Sequence, residues 1–475
     1  PFWAAAEGGC RRPDKCARVL PMRFGDGSLV FIHLADMHFR ATSNGQFDLD
    51  HDIRNELRLD IRSLADAGTR FSGIFICGDI AWSGMNAEYQ IASQWLDGLC
   101  DNVNCQRESV WVVPGNHDID RNIIKKSQHL ADARSIIRAS SNHSNALQKR
   151  LTDKELAQNV YFGPLNDYNA FASRYQCGVS AHNPYWEKRE NPFHLNDGSR
   201  LIVRGMTSVL LSDENDDKNA NKLVLGAMQT VCPRDPGVTW LSLCHHPPDW
   251  LHDHDEVDDA LKTRVHVQLF GHKHRQRLDV TERHGFTSLR LGAGALHPDR
   301  SEHGWEPRYN LLGLRVEGSP TQRCLQVTVN ARRWDSQSAR FGGDGQPTVR
   351  FLPLDSWSPP TVVAAKEPSA NVPVRKAESF SVPETGHRLA SETDVSMDPY
   401  RRLVYRFFTL PQLDQQRIIG ELGLASDTDQ GLDTPARYSR CLARARERNQ
   451  LDKLWDAVEH SHPEENKTPN PFSHT

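Results

Sequence analysis

Five short clusters in this chain combine carboxylate, amide and imidazole groups: Asp36-Met37-His38, Gly78-Asp79, Asn116-His117-Asp118, His245-His246 and His272-Lys273-His274. Carboxylate and amide oxygens with imidazole nitrogens form a donor set suited to first-row divalent cations. A histidine near a carboxylate can also move a proton near neutral pH. Any one cluster alone would read as a polar turn or a surface histidine. Five of them, each following a strand-like run, read as one site. Asp36 and His38 stand at i and i+2, on the same side of an extended segment, and His272 and His274 repeat that spacing after Gly271. Gly78 lets the backbone turn so that Asp79 faces the crevice at the strand end.

The elements that must carry these residues are short apolar runs with little alternation: Leu29–Leu34, Gly73–Cys77, Trp111–Val113, Leu201–Val203, Thr239–Cys244 and Val265–Phe270. Such runs suit strands buried on both faces. Pro114-Gly115 and Pro247-Pro248 break two of them just where the polar residues begin. Residues 48–67 carry a helical pattern, and a second amphipathic helix would run through Ile91, Trp95 and Leu99. Leu289–Leu296 and Tyr309–Val329 supply further strands for a second sheet.

In this order, and each after a strand, the five clusters resemble the signature of the calcineurin-like metallophosphoesterases, over residues 31 to 274. The resemblance implies an α/β fold, a four-layer αββα sandwich with a helical insertion. It implies two divalent metal ions (Mn²⁺, Fe or Zn²⁺), one held by Asp36, His38, Asp79 and His274 and the other by Asp79, Asn116, His245 and His272. It also implies attack by a metal-bridging hydroxide, with His117 as the general acid, held by Asp118. His246 would then lie behind the ligands or touch the phosphate. The stretch from Gly78-Asp79 through Gly84 to Glu88-Tyr89 resembles the cyclic nucleotide and glycerophosphodiester phosphodiesterase branch, and the Phe-Asp of the exonuclease branch is absent. Glu88 and Tyr89 could equally open an ordinary helix. A phosphodiester of a nucleotide or small molecule is therefore the first substrate reading, and a nuclease acting on DNA or RNA the second. Some members of the fold lose ligands and serve as protein-binding scaffolds. Here every ligand position is filled.

Composition bounds the rest. With 57 basic and 61 acidic residues and a net charge of -4, the chain is no polycation, so a phosphate partner must be held locally. No apolar run approaches the roughly 18 to 20 residues of a membrane span. The ten cysteines are scattered without a Cys-x-x-Cys pair, which predicts a disulfide-free cytoplasmic protein. Residues 1–24 read as a disordered leader, with order beginning near Met22, and 25–335 as the phosphoesterase domain. Within it, 119–200 reads as a helical insertion placed to cap the substrate, its Tyr168, Phe171 and Tyr175 packing as core. Residues 336–396, rich in Gly, Pro, Ser and charge, read as a linker, with one strand near Val349–Leu352 still belonging to the first domain.

From 397 to 462 helical periodicity returns in a small all-α bundle, followed by a disordered tail at 463–475. Thr409 and Gln412 predict a capping box, Thr434-Pro435 a second helix start, and Leu451 to Val458 a last helix. The five arginines between Arg437 and Arg448 predict a solvated basic face. The bundle resembles the death-like helical adaptor domains attached to effectors in bacterial conflict systems, which implies a protein partner. On this reading it hangs on its tether, and a chain ending near residue 360 would remain folded and active on a small diester.

Overall fold

The computed structural model describes residues 24–41, 50–216, 222–296, 306–359 and 398–473. Its strands in chain order are β1 (Leu29–Leu34), β2 (Gly73–Cys77), β3 (Val110–Val113), β4 (Trp186–Glu187), β5 (Phe193–His194), β6 (Arg200–Gly205) and β7 (Val238–Cys244). They continue with β8 (Val267–Phe270), β9 (Arg277–Arg283), β10 (Phe286–Gly292), β11 (Arg308–Ser319), β12 (Gln322–Asp335), β13 (Arg340–Gly343) and β14 (Thr348–Pro353). Two seven-stranded sheets result, one ordered β13-β12-β11-β1-β2-β3 with β14 also on β12, the other β4-β6-β7-β8-β10-β9 with β5 on β6.

The apolar runs explain the stacking. β1, β2 and β3 are parallel and buried along their whole length, as strands covered on both faces must be. Between the sheets, the ring of Phe193 meets Phe31 and Trp111 edge-on, each at 5.0 Å. Helix His51–Asp66 covers the first sheet, tied by Asp60, which accepts from Tyr309 and Arg332. Helix His254–Lys262 lies beside the second, through an Asp258–Arg290 ion pair. The layers are helix, sheet, sheet, helix, and the loops after the parallel strands collect at one end of both sheets.

Three boundaries differ from the sequence reading. β13 and β14 both pair with β12, so the first sheet extends to Pro353 and the linker does not begin at 336. β14 is the strand expected near Val349–Leu352, whereas β13, with Phe341 its one buried residue, carries no apolar run to find. The tail is also ordered as far as residue 473: Thr468 donates its N–H to Glu459, and Phe472 packs on Trp455. The region 119–200 is helical up to Tyr175, with Tyr168, Phe171 and Tyr175 buried as expected, but it ends in β4 and β5, which join the second sheet. Residues 1–23 and most of the linker lie outside the described residues.

Four helices form the C-terminal bundle: Pro399–Phe408, Gln412–Glu421, Thr434–Glu447 and Leu451–Ser461. Leu403, Phe407, Ile418, Leu442 and Trp455 fill its core. The capping box at Thr409 is absent. Thr409 closes the first helix, its hydroxyl donating to the Arg406 carbonyl, and Pro411 occupies the N-cap of the next. Asp433 caps the third helix. The basic face of that helix is committed within the protein: Arg444 pairs with Asp429, Arg446 with Glu190, and Arg437 and Arg448 donate to backbone carbonyls.

Nor does the bundle hang free. Arg401, 5% exposed, reaches into the outer edge of β3 and donates to the carbonyls of Glu108 and, at 2.6 Å, Val110. Its guanidinium lies over Trp111, and Tyr405 donates to Asp97 at 2.6 Å. Farther along the same edge, the Val112 carbonyl accepts from Tyr168 and Trp186, and the Val112 N–H meets the Cys177 sulfur. A sheet edge is normally a row of unpaired polar groups, and here side chains satisfy it. The bundle is thus not isolated from the sheet, and a chain ending near residue 360 would strip Arg401 from the Glu108 and Val110 carbonyls. Arg401→Ala, which leaves two buried carbonyls unpaired, is expected to cost about 2 kcal/mol of stability. Urea titration followed by tryptophan fluorescence would read that loss, and an unchanged midpoint would contradict it.

Candidate metal centre

The strand-end loops present their side chains by an unusual backbone. Asp36, His38, Asp79, His272 and His274 all have φ between 46° and 67°, and they make up half of the ten non-glycine residues with positive φ among those described. Such conformations are costly for residues with a Cβ, and clustering at one place marks a site whose geometry is imposed by its surroundings. Glycines make room beside them. A Cβ on Gly115 would lie 2.2 Å from Asp79 Oδ1, and one on Gly78 would lie 2.6 Å from His245 Nδ1. Only glycine fits at either position.

All seven expected ligands are brought together. The donor atoms of Asp36, His38 and His274 lie within 4.8 Å of one another, as do those of Asp36, Asp79 and His245. His38 Nε2 is 3.8 Å from Asp79 Oδ2, and His245 Nε2 is 3.4 Å from the same oxygen and 3.0 Å from Asn116 Oδ1. His274 Nε2 is 3.5 Å from Asp36 Oδ1, and the His272 N–H donates to Asp36. Asp36, Asp79 and His245 are buried.

The charges in this cluster suit a cation. Burial opposes a charged Asp79, but the imidazoles of His245, His117 and His38 outweigh it and hold the carboxyl well below the ordinary carboxylate range. Burial likewise opposes a charged His245, yet Asp79 and Asp36 push it up to about 9. His245 Nδ1 lies 2.7 Å from the Cys77 carbonyl, which leaves Nε2 facing Asp79 and Asn116. A divalent cation at that point would replace the Nε2 proton. Burial and the neighbouring His245 keep His272 neutral, ready to donate a lone pair. The residues therefore fit a pair of divalent cations.

His117 stands beside this group, its backbone N–H donating to Asp79 Oδ1 at 2.8 Å. The expected brace from Asp118 is not there. His117 Nδ1 is 2.7 Å from the carbonyl oxygen of Trp82, so a backbone carbonyl fixes the ring and turns Nε2 outward. Asp118 instead accepts from the N–H groups of Ile80, Ala81 and Gly115 and from the Tyr89 hydroxyl at 2.9 Å. It locks the loop after β2 to the loop after β3. Burial and the nearby Asp79 push its carboxyl up to about 7 against those donors.

Glu88 accepts from the N–H groups of Ser83 and Met85 and from the Ser83 hydroxyl, so both Glu88 and Tyr89 organise the loop that carries Trp82. The pair also opens helix Asn86–Asn102, as the plain helical reading expected. His246 is buried, with Nδ1 2.9 Å from Ser208 Oγ and Nε2 without a partner among the described residues, its ring 4.3 Å from that of His272. Ser208, Trp82 and Trp250, whose ring meets His272 at 4.1 Å, carried no sequence signal. The insertion reaches the site through Arg121, which donates to the Asn116 carbonyl, while its aromatic core packs along β3.

Residues 29–276, just over half of the chain, match the calcineurin-like phosphoesterase family, and the chain belongs to it. Residues 399–460 match the GTPase-associated adaptor domain. A curated relative, the uncharacterized metallophosphoesterase-like protein YydB of Bacillus subtilis, is 21% identical over 341 residues, covering 69% of this chain; the chain spans 66% of that relative's length. Among solved structures, Vps29 from Entamoeba histolytica covers 69% of this chain and all of its own at 11% identity and a TM-score of 0.27. The purple acid phosphatase PPD1 from yellow lupin covers 71% of this chain and 57% of its own at 9% identity and a TM-score of 0.35. Among the described residues no helix is long and apolar enough to cross a membrane.

Proposed function

We propose that this phosphoesterase hydrolyses phosphodiesters with two divalent metal ions, Mn²⁺, Fe or Zn²⁺. Asp36, His38, Asp79 and His274 would hold one and Asp79, Asn116, His245 and His272 the other. The observation that supports the reading is the clustering of these Asp and His donors and Asn116 beside a histidine, His117, that is anchored through Nδ1 and is read as the acid. When bound, such a pair neutralises phosphate oxygens and supplies a nucleophile from water. His117 then gives its Nε2 proton to the leaving oxygen, and Asp118 keeps the two loops in register.

The stretch from Asp79 to Tyr89 favours diesters over monoesters through its likeness to the phosphodiesterase branch. Nucleic acid is the second substrate reading. The match to the adaptor family supports a protein partner for the bundle, in a system where such domains accompany GTPases. The eight described cysteines are all free, which supports a cytoplasmic setting.

Turnover of bis-p-nitrophenyl phosphate is expected to vanish with chelator and return with Mn²⁺, and to exceed that of the monoester. Cyclic nucleotides and single- and double-stranded DNA and RNA complete the panel. Chelator-insensitive turnover, or none with any divalent metal, would defeat the reading.

A further inference from the structure

One buried imidazole at the centre is used neither as a ligand nor as the proton donor. β7 ends at Cys244 and the chain bends there. His245 and His246, which a strand would point to opposite faces, therefore bring their rings together, with centroids 4.6 Å apart. A ring nitrogen of each of His245, His246 and His272 lies within 4.8 Å of the other two, the same limit that holds for the donors of Asp36, His38 and His274.

The way His246 is held fixes its tautomer. Nδ1 lies 2.9 Å from Ser208 Oγ, which also accepts the His246 backbone N–H at 3.3 Å. The Ser208 hydroxyl hydrogen has the Cys244 sulfur to go to, so the oxygen is left to accept from Nδ1–H. That puts a lone pair on Nε2, which is buried and meets no donor among the described residues. A buried acceptor without a donor is costly, and a cation at that point removes the cost. His245 is held in the same manner, with Nδ1 on the Cys77 carbonyl and Nε2 toward Asp79. An imidazole anchored through one nitrogen, with the other open beside further donors, is how proteins present histidine to a metal.

We propose that His246 is a further ligand, giving its Nε2 lone pair to the cation that Asp79, Asn116, His245 and His272 hold on the two-metal reading, on which this inference rests. That cation then meets three imidazoles, whereas the one held by Asp36, His38, Asp79 and His274 meets two. Imidazole suits Zn²⁺ and Fe, and carboxylate suits Mn²⁺, so the His246 side is the more selective for Zn²⁺ or Fe.

The test is titration of the metal-free full chain with Co²⁺ against a chelating dye, followed by proton NMR of the saturated protein. Each coordinated imidazole that keeps an N–H gives one hyperfine-shifted signal. The wild type should take up two Co²⁺. His246→Leu removes the lone pair at little change in volume. It should bind one Co²⁺ as the wild type does and the other at least about tenfold more weakly, and show one shifted N–H signal fewer. Ser208→Ala keeps the imidazole and removes only its anchor, so it should fold even if His246→Leu does not. It should weaken the same Co²⁺ and displace that one signal. Unchanged affinities in both variants, or weaker binding with the wild-type set of signals, overturn the ligand alone. Weaker inhibition by inorganic phosphate at unchanged metal affinity would place His246 on the phosphate instead. A wild-type chain that takes up fewer than two Co²⁺ overturns the two-metal reading and the ligand with it.

Discussion

Asp79→Asn is expected to lose metal and, with it, at least about 10³-fold of turnover. Asp79 is buried, stands within 4 Å of both His38 and His245, and on the proposed assignment touches both cations. Asparagine keeps the size and one oxygen but removes the negative charge that two cations in a buried site require. The substitution should leave the fold intact, because Asp79 has φ 52° and asparagine tolerates that left-handed backbone better than most residues. Its amide oxygen can still accept the His117 N–H. Elemental analysis of the purified variant would therefore show well-folded protein with less than one metal per chain. Full metal content with low turnover would remove Asp79 from the bridging position.

His117→Asn should behave in the opposite way, keeping both metals while turnover falls by roughly 10² to 10⁴. The asparagine amide can still donate to the Trp82 carbonyl, so the loop should hold, but no group remains at Nε2 to protonate the leaving oxygen. The loss should be largest for alkyl leaving groups and smaller for p-nitrophenolate, which leaves readily without a proton. A uniform loss across leaving groups, or metal loss equal to that of Asp79→Asn, would show that His117 positions or ligates instead.

The sequence separated the two proposed roles only through the family resemblance, since Asn116 and His117 are neighbours in one cluster. What holds the acid was not legible. The family resemblance implied Asp118 as its partner, but Asp118 accepts from the backbone N–H of Gly115, and the partner of His117 is a backbone carbonyl from the loop after β2. Carbonyls leave no mark in a sequence. The parallel strands were legible because each is an unbroken apolar run, and β14 showed as a short run near Val349–Leu352, whereas β13, lying at the exposed side of the sheet, looks like linker. The place of the bundle was hidden for a different reason. Nothing in its residue type or spacing marks Arg401, and only the fold shows that it is buried against β3.

That contact also sets a timetable. Val110 and the arginine that covers its carbonyl are 291 positions apart, so the ribosome releases β3 long before its cover exists. At roughly 5 to 20 residues per second, the gap is about 15 to 60 s. Throughout that interval the Glu108 and Val110 carbonyls lack their cover, while Tyr168, Trp186 and Cys177 can already close the Val112 end. Part of the strand edge thus stays open to pairing with a neighbouring nascent chain. Synthesis rate and the density of ribosomes on one message thereby become determinants of yield, and overexpression at high temperature should favour aggregates joined through β3.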